Sequence, residues 1–209
     1  MLSTFLFSAK LLFGIFTAST VSAYLLCFYN DVPFFNPNSN RYQILNKIEK
    51  LTKTSVRLLA NYTIIYSVVL NRQIDIRSHS IDKTIYNFAA YSMIAELVYY
   101  IYHKTMHMKK YYNEHHSLHH KNLEVYPSDA FYVTETDGLL LLGTLSSPIL
   151  FLQLTHYEFG FCLYFYLTAA YISHSSAFIN HHAIHHKLLF CNFCLLNPIY
   201  DIICRTYRP

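Results

Sequence analysis

Charge is scarce in this chain. Only 13% of its 209 residues are Asp, Glu, Lys or Arg, against roughly a quarter in an ordinary soluble domain. With 53% hydrophobic residues, the composition excludes a highly solvated protein and excludes intrinsic disorder, which needs low hydrophobicity and high charge. Sixteen Lys and Arg against twelve Asp and Glu leave a net charge of only +4, too weak a bias for a nucleic-acid partner. There is no low-complexity run and no solenoid repeat. What the chain does have is thirteen histidines and a mean hydropathy of +0.20.

Apolar runs near the length that crosses a bilayer core, about 20 residues, organise the chain. Leu11–Tyr29 is uncharged. Val21-Ser22-Ala23 would suit a signal-peptide cleavage site, but the run continues through Leu25-Leu26-Cys27-Phe28, so a retained anchor is the reading. Leu58–Leu70 is shorter and contains Asn61; Ile85–Tyr102 is interrupted by Glu96; Gly138–Leu154 is broken by Pro148; Phe159–Ile172 follows after His156-Tyr157-Glu158, as in a tight helical hairpin. The expected fold is all-α, a multi-pass membrane helical bundle of four or five spans with a cytoplasmic histidine-rich cap. Residues 1–84 form an N-terminal membrane region, and residues 85–209 carry the chemistry. Basic residues orient it: Arg41, Lys47, Lys50, Lys53 and Arg57 in one linker, and Lys104, Lys109, Lys110 and Lys121 in another, belong on the cytoplasmic side. Both histidine-rich regions then meet on one face.

The histidines fall into three clusters: His103 and His107 as H-x-x-x-H, then His115-His116-Ser-Leu-His119-His120, then His181-His182-Ala-Ile-His185-His186. The last two repeat one pattern. Residues three and four apart share a helix face, so His103 with His107, His116 with His119 and His120, and His182 with His185 and His186 form three projecting sets. Neutral imidazole binds iron, zinc and copper, and eight ligands exceed what one tetrahedral ion takes. They suit two ions with open positions. Clustered imidazoles without a metal gain nothing from burial. His115 and His181 are open between ligand and supporting roles; His79 and His156 read as ordinary loop residues.

Other residues speak less clearly. A carboxylate inside an apolar span is costly and usually partnered. Glu96 lies about two turns before His103, on roughly the same face, where it would accept a ring N–H from a ligand histidine or face a water pocket. Tyr99, Tyr100, Tyr102, Tyr111 and Tyr112 fit an aromatic belt where a helix leaves the membrane. Cys27 and Cys162 sit in apolar spans. Cys191, Cys194 and Cys204 fall on the reducing side, where disulfides are rare, and Cys191-x-x-Cys194 is a weak zinc or redox signal without a second pair.

H-x-x-x-H followed by two H-x-x-H-H boxes at membrane-exit positions resembles the fatty acid hydroxylase/sterol desaturase superfamily, most closely its sterol 5-desaturase (lathosterol oxidase) branch. Glu96 through Tyr102 matches that branch's acidic, Tyr-rich lead into the first box. Pro127 and Asp137-Gly138 match the residues after the second. Asn192-Phe193, Tyr200-Asp201 and Thr206-Tyr207-Arg208 match those after the third. The match covers residues 85–209. Departures are Thr134-Glu135 for a family His-Pro, Cys194 and Arg205 for glycines, Tyr200 for a Trp in a chain with none, and His174-Ser175-Ser176 where the family has an isolated His before Asp-Gly.

The resemblance implies metal ligation by His103, His107, His116, His119, His120, His174, His182, His185 and His186, with Glu96, Asp137, Asn192 and Asp201 supporting them. It implies two Fe ions, O2 as co-substrate, and electrons from NAD(P)H through a reductase and cytochrome b5. The lipid bilayer and a sterol substrate are the expected partners, with no nucleic acid, and the endoplasmic reticulum membrane the expected location. The implied reaction is desaturation or hydroxylation of the sterol in lipid biosynthesis. A fatty acyl or sphingolipid hydroxylase of the same superfamily, and a degenerate member with a binding or scaffold role, are the alternatives. A metal transporter fits less well, since its ionisable ligands belong in mid-span and these histidines follow the spans. Lys104, Lys109, Lys110, Lys121, Lys187 and Arg205 frame the boxes, as positive-inside topology or as a surface for an acidic electron donor.

Overall fold

The computed structural model describes residues 2–209 and is all-helical. Four long helices carry the architecture: α1 (Leu2–Tyr29), α2 (Arg41–Val68), α3 (Ile81–Met106) and, later in the chain, α6 (His156–Ser173). Between α3 and α6 lie a one-turn helix α4 (Lys109–Tyr111), a π-turn at Tyr112–His116, a 3₁₀ turn at His119–Lys121 and α5 (Glu135–Ser146). Two short helices close the chain, α7 (Asn180–Leu188) and α8 (Ile199–Ile203).

Each start has a local cause. Asn40 and Gln43 form a reciprocal capping box for α2, and Thr155 and Glu158 form one for α6. Ser80 caps α3 and Thr134 caps α5. Each supplies an oxygen to an N–H that the first helical turn leaves without a partner.

Side-chain bonds give the directions. Phe7 on α1 packs on His156 at the start of α6, while Thr20 and Ser22 reach Tyr171 and Tyr164 further along α6. Thr84 and Asn87 at the start of α3 bond Glu158 at the start of α6. So α1, α3 and α6 run the same way. Tyr62 and Tyr66 near the end of α2 meet Ser146 and His156, so α2 and α5 run the other way. A fully buried core of Leu12, Tyr66, Leu145, Leu154, Phe159 and Leu163 lies between them. The face of α1 against α6 carries small residues, Ser8, Ser19 and Ala23, all buried, and small residues let helix axes approach closely.

One helix, α1, is both long and apolar enough to cross a membrane, with a mean hydropathy of 1.9 over its best window. The other expected spans are helical but differ in extent. Leu58–Leu70 is the C-terminal part of the longer α2, whose first half carries Lys47, Glu49, Lys50 and Lys53. The segment Gly138–Leu154 becomes α5, a 3₁₀ turn at Ser147–Leu150 and an irregular stretch. At about 1.5 Å per residue α5 is roughly 18 Å long, well short of a bilayer core of about 30 Å. The hairpin break lies before His156, which is already in α6.

Two features outside the histidine clusters depart from the sequence reading. The His79 side chain is buried, with Nδ1 2.9 Å from Glu158 and Nε2 3.4 Å from Asp75, and it clasps the start of α3 to the start of α6. His156 packs against Phe7 and bonds Tyr66. His79 does lie in the loop leading into α3, with its side chain turned inward, whereas His156 is the first residue of α6, because the long helices fold their starts onto each other at this end.

Candidate metal centre

The opposite end of the bundle gathers the histidine clusters. There α3 and α6 finish, α5 begins, and α7 packs across them. His103 is in the last turn of α3, His107 is its C-cap, and His174 is the C-cap of α6. His116 ends the π-turn and His119 and His120 open the next 3₁₀ turn. His182, His185 and His186 lie on α7.

Nine imidazoles converge into two groups: His103, His107, His116, His120 and His185 in one, and His119, His174, His182 and His186 in the other. Within each, the ring nitrogens lie within 4.8 Å of one another. All but half-buried His107 are buried. His120 and His186, one from each group, have ring centroids 4.3 Å apart, so the groups are neighbours.

The spacing fits a shared ion. In the first group, Nε2 of His120 is 3.1 Å from Nε2 of His116 and 3.2 Å from Nε2 of His185. In the second, Nε2 of His174 is 3.3 Å from that of His119 and 3.2 Å from that of His186. Two nitrogens each about 2.1 Å from one ion stand roughly 3.0–3.4 Å apart at ligand angles of about 90–110°. Nε2 of His103, of His107 and of His182 is buried without a hydrogen-bond partner, which costs free energy unless something takes the lone pair. Burial, reinforced by neighbouring imidazoles, holds His119, His182 and His186 well below the ordinary 6.5. Their rings are therefore neutral, the ligating form.

The far side of several rings is fixed. Nδ1–H of His103 donates to the Phe193 carbonyl (2.8 Å), of His174 to Ala170 (2.7 Å) and of His185 to Cys191 (2.6 Å). His116 donates from Nδ1 to Asp137 Oδ2 at 2.8 Å, and Tyr102 donates to the other oxygen of Asp137. A donor bond on one ring nitrogen leaves the other free to ligate and sets the ring's angle.

The four expected supporting residues act at different ranges. Asp137 touches a clustered histidine directly. Glu96 does not: it accepts backbone N–H groups from Leu195, Leu196 and Asn197 at 3.0, 2.9 and 3.0 Å. The expected ring contact is absent because the 193–197 loop lies over α3 at this level. Asp201 accepts from the N–H groups of Phe193 and Cys194 at 2.8 and 2.7 Å. Asn192 bonds the His181 carbonyl and both backbone groups of Arg208. Together they brace the 191–197 loop, whose carbonyls at Cys191, Phe193 and Leu195 hold His185, His103 and His181.

Of the open histidines, His181 bonds the Leu195 carbonyl and stands outside both groups, and His115 is partly exposed beside Glu114. Cys191 and Cys194 are buried free thiols, and neither belongs to a metal group among the described residues. Tyr99, Tyr102 and Tyr112 are not a membrane belt. Tyr99 packs on His103, Tyr102 holds Asp137, and Tyr112 packs on His107. Sequence reasoning missed the carbonyls of Ala170, Cys191 and Phe193, since every residue has a carbonyl and only the fold selects which ones face an imidazole.

The sequence model described as Fatty acid hydroxylase matches residues 88–206, more than half of the chain. The chain belongs to the fatty acid hydroxylase family. No curated protein and no solved structure matches it. The matched span includes all nine clustered histidines and every residue that braces them. The family is iron-dependent and membrane-associated. An all-imidazole donor set suits iron, and the orphaned nitrogens of His103, His107 and His182 are what such a metal would satisfy. As a fatty acid hydroxylase family member, the chain has an oxygenase-type enzyme's donor set, at the end of a bundle that carries one apolar candidate membrane helix.

Proposed function

We propose that this protein is a membrane-embedded di-iron oxidoreductase that uses O2 to desaturate or hydroxylate a lipid. The observation that carries the reading is the division of nine converging imidazoles into two adjacent groups. One tetrahedral ion would need four ligands at most.

His103, His107, His116, His120 and His185 would hold one iron, and His119, His174, His182 and His186 the other. When bound, the irons supply O2 activation; the chain supplies the rest. Asp137 and the Ala170, Cys191 and Phe193 carbonyls hold ring protons on the outer nitrogens, so the inner ones face the metals. Phe193 lies edge-on to His107 and His185 and keeps water from that group. A small cavity of about 20 Å³ against His116, His119 and His174, walled by Tyr99, Val133 and Leu141, positions an apolar C–H beside the metals.

Lipid surroundings are supported by apolar side chains left outward on several helices: Phe13 on α1, Ile64 on α2, Ile85 and Ile101 on α3, Phe161 on α6. Exposed apolar surface of that extent marks a membrane or interaction face. We place the histidine end toward the cytoplasm in the endoplasmic reticulum membrane, following the basic residues near it. Electrons would come from NAD(P)H through a reductase and cytochrome b5, with Lys104, Lys109, Lys110 and Lys187 offering an acidic donor its contact.

The motifs around the boxes favour a sterol. The fatty acid hydroxylase family to which the chain belongs favours a fatty acyl chain. Expression in yeast lacking its sterol 5-desaturase, with sterols and hydroxylated acyl lipids profiled together, separates the two. A new product that vanishes in His119→Ala and His185→Ala supports the enzyme. Purified protein that holds no stoichiometric iron overturns it.

A further inference from the structure

An apolar groove and the small cavity against the histidines are lined by neighbouring residues of the same two chain segments. An apolar groove of about 420 Å³ runs between α1 and α2, lined by Phe13, Phe16, Leu51 and Leu59, with Phe131 and Tyr171 at its inner wall. It continues along both helices as a second apolar groove of about 510 Å³ that shares Phe13, Val56 and Leu59. The small cavity beside His119 and His174 is lined by Ala130 and Ala170. The partition is thus two dipeptides, Ala130-Phe131 and Ala170-Tyr171. Each turns its alanine to the metal side and its aromatic ring to the groove.

The rings of Phe131 and Tyr171 meet edge-on, 4.8 Å between centroids. Tyr171 Oη bonds Thr20 Oγ1 on α1 at 2.9 Å, and Phe16 on the same helix lies 6.3 Å from Phe131. The barrier is therefore held by the helix that faces the lipid.

Along α2 the lining changes character. Gln43, Lys47 and Lys50 border a polar cavity of about 290 Å³ with Lys121, Glu124 and Asp129; Leu51, Val56 and Leu59 border the apolar groove. Lys47 is taken by Asp129 at 2.7 Å, which leaves Lys50 and Lys121 against Glu124. A ligand lying along this helix meets cationic groups at one end and hydrocarbon at the other, so an acidic head and an apolar tail complement it.

We propose that the α1–α2 groove takes a fatty acid from the bilayer, head toward Lys50 and Lys121, and that Phe131 and Tyr171 are the gate through which its chain end reaches the His119–His174 cavity. The ring pair selects a flexible chain in single file and excludes a fused-ring lipid. This inference rests on the lipid-oxidising reading of the metal centre and adds the route and its selectivity.

Photo-crosslinking tests it. The full chain, in nanodiscs, is irradiated with palmitic acid carrying a diazirine at mid-chain or at the chain end, and labelled peptides are mapped. The mid-chain probe is expected to label the segments around Phe16 and Leu59, and the chain-end probe the segment around Leu141. Phe131→Trp is expected to abolish chain-end labelling at Leu141 while groove labelling and metal content persist; Phe131→Ala is expected to increase it. Chain-end labelling that ignores both substitutions overturns the gate. Labelling around Leu141 by a sterol diazirine as strong as by chain-end palmitate overturns the selectivity, and labelling scattered over the outer faces means annular lipid only and overturns the site. Oxidised lipid without a Phe131 effect defeats the gate and leaves the enzyme reading standing. A Phe131-dependent labelling pattern in protein that binds no iron does the reverse.

Discussion

His185 and His186 are neighbours in the chain yet serve different metal groups. His185 points its Nε2 at His120, 3.2 Å away, and His186 points its Nε2 at His174, 3.2 Å away. The pair His119 and His120 divides in the same way. Adjacent residues in a helical turn are separated by about 100° around the axis, so an H-H step presents one ring to each of the two histidine groups. The doubled histidine thereby joins the two groups.

That division predicts metal stoichiometry. His186→Ala removes one of the four rings of the smaller group and is expected to lower bound iron by one ion of the pair, with the other retained. His185→Ala, which leaves four rings in its group, is expected to weaken that ion and keep part of it. Elemental analysis of purified protein after dialysis measures both. Equal and complete loss in either variant would mean a single cooperative site.

Asp137 is expected to govern affinity without touching a metal. Asp137→Asn keeps the shape and weakens the acceptor for Nδ1 of His116 and for Tyr102. Changes at such outer partners typically cost about 10–100-fold in metal affinity. Chelator competition, with circular dichroism as the control for folding, reads the loss; an unchanged affinity would refute the role.

Glu96 is expected to act through the loop. Glu96→Ala strips three N–H groups of their acceptor, a cost of about 2–3 kcal/mol at roughly 1 kcal/mol each, seen as a lower denaturation midpoint. Metal affinity of the five-histidine group falls with it, since the loop no longer holds the Phe193 carbonyl against His103. Glu96→Gln, which keeps one acceptor oxygen, is expected to restore part of both.

Arg205 occupies the left-handed region at φ 58° with its side chain exposed. A side chain there costs about 1–2 kcal/mol that glycine avoids. Arg205→Gly is expected to stabilise the fold by about 1 kcal/mol net of glycine's greater chain entropy, a rise of roughly 2–4 °C in Tm. A thermal melt checks it, and a lowered Tm would show that the arginine makes a compensating contact.

The same residue shows what could be read before the fold was known. Arg205 stands where the resembling family has glycine, and the backbone explains why glycine belongs there. Thr134, another departure, works as the N-cap of α5, bonding the N–H of Asp137 at 3.2 Å, so this substitution keeps the local structure. Glu96 was legible as a buried carboxylate needing partners, but its partners lie about a hundred positions away in the chain, beyond the reach of helical periodicity.

Residue type and spacing determined that the protein is helical and that eight of its histidines come in metal-ligand sets; the ninth, His174, came from the family resemblance. Those properties are local: apolar runs, caps and i, i+3 or i+4 spacing act within a few turns. Tertiary structure decided how the nine divide, which carbonyls orient them, that Tyr99 and Tyr102 turn inward, and that Phe131 and Tyr171 wall an apolar groove while their neighbours Ala130 and Ala170 face the cavity beside the histidines. Each of these depends on where α3, α5, α6 and α7 end relative to one another, and that is set by packing between segments far apart in the chain.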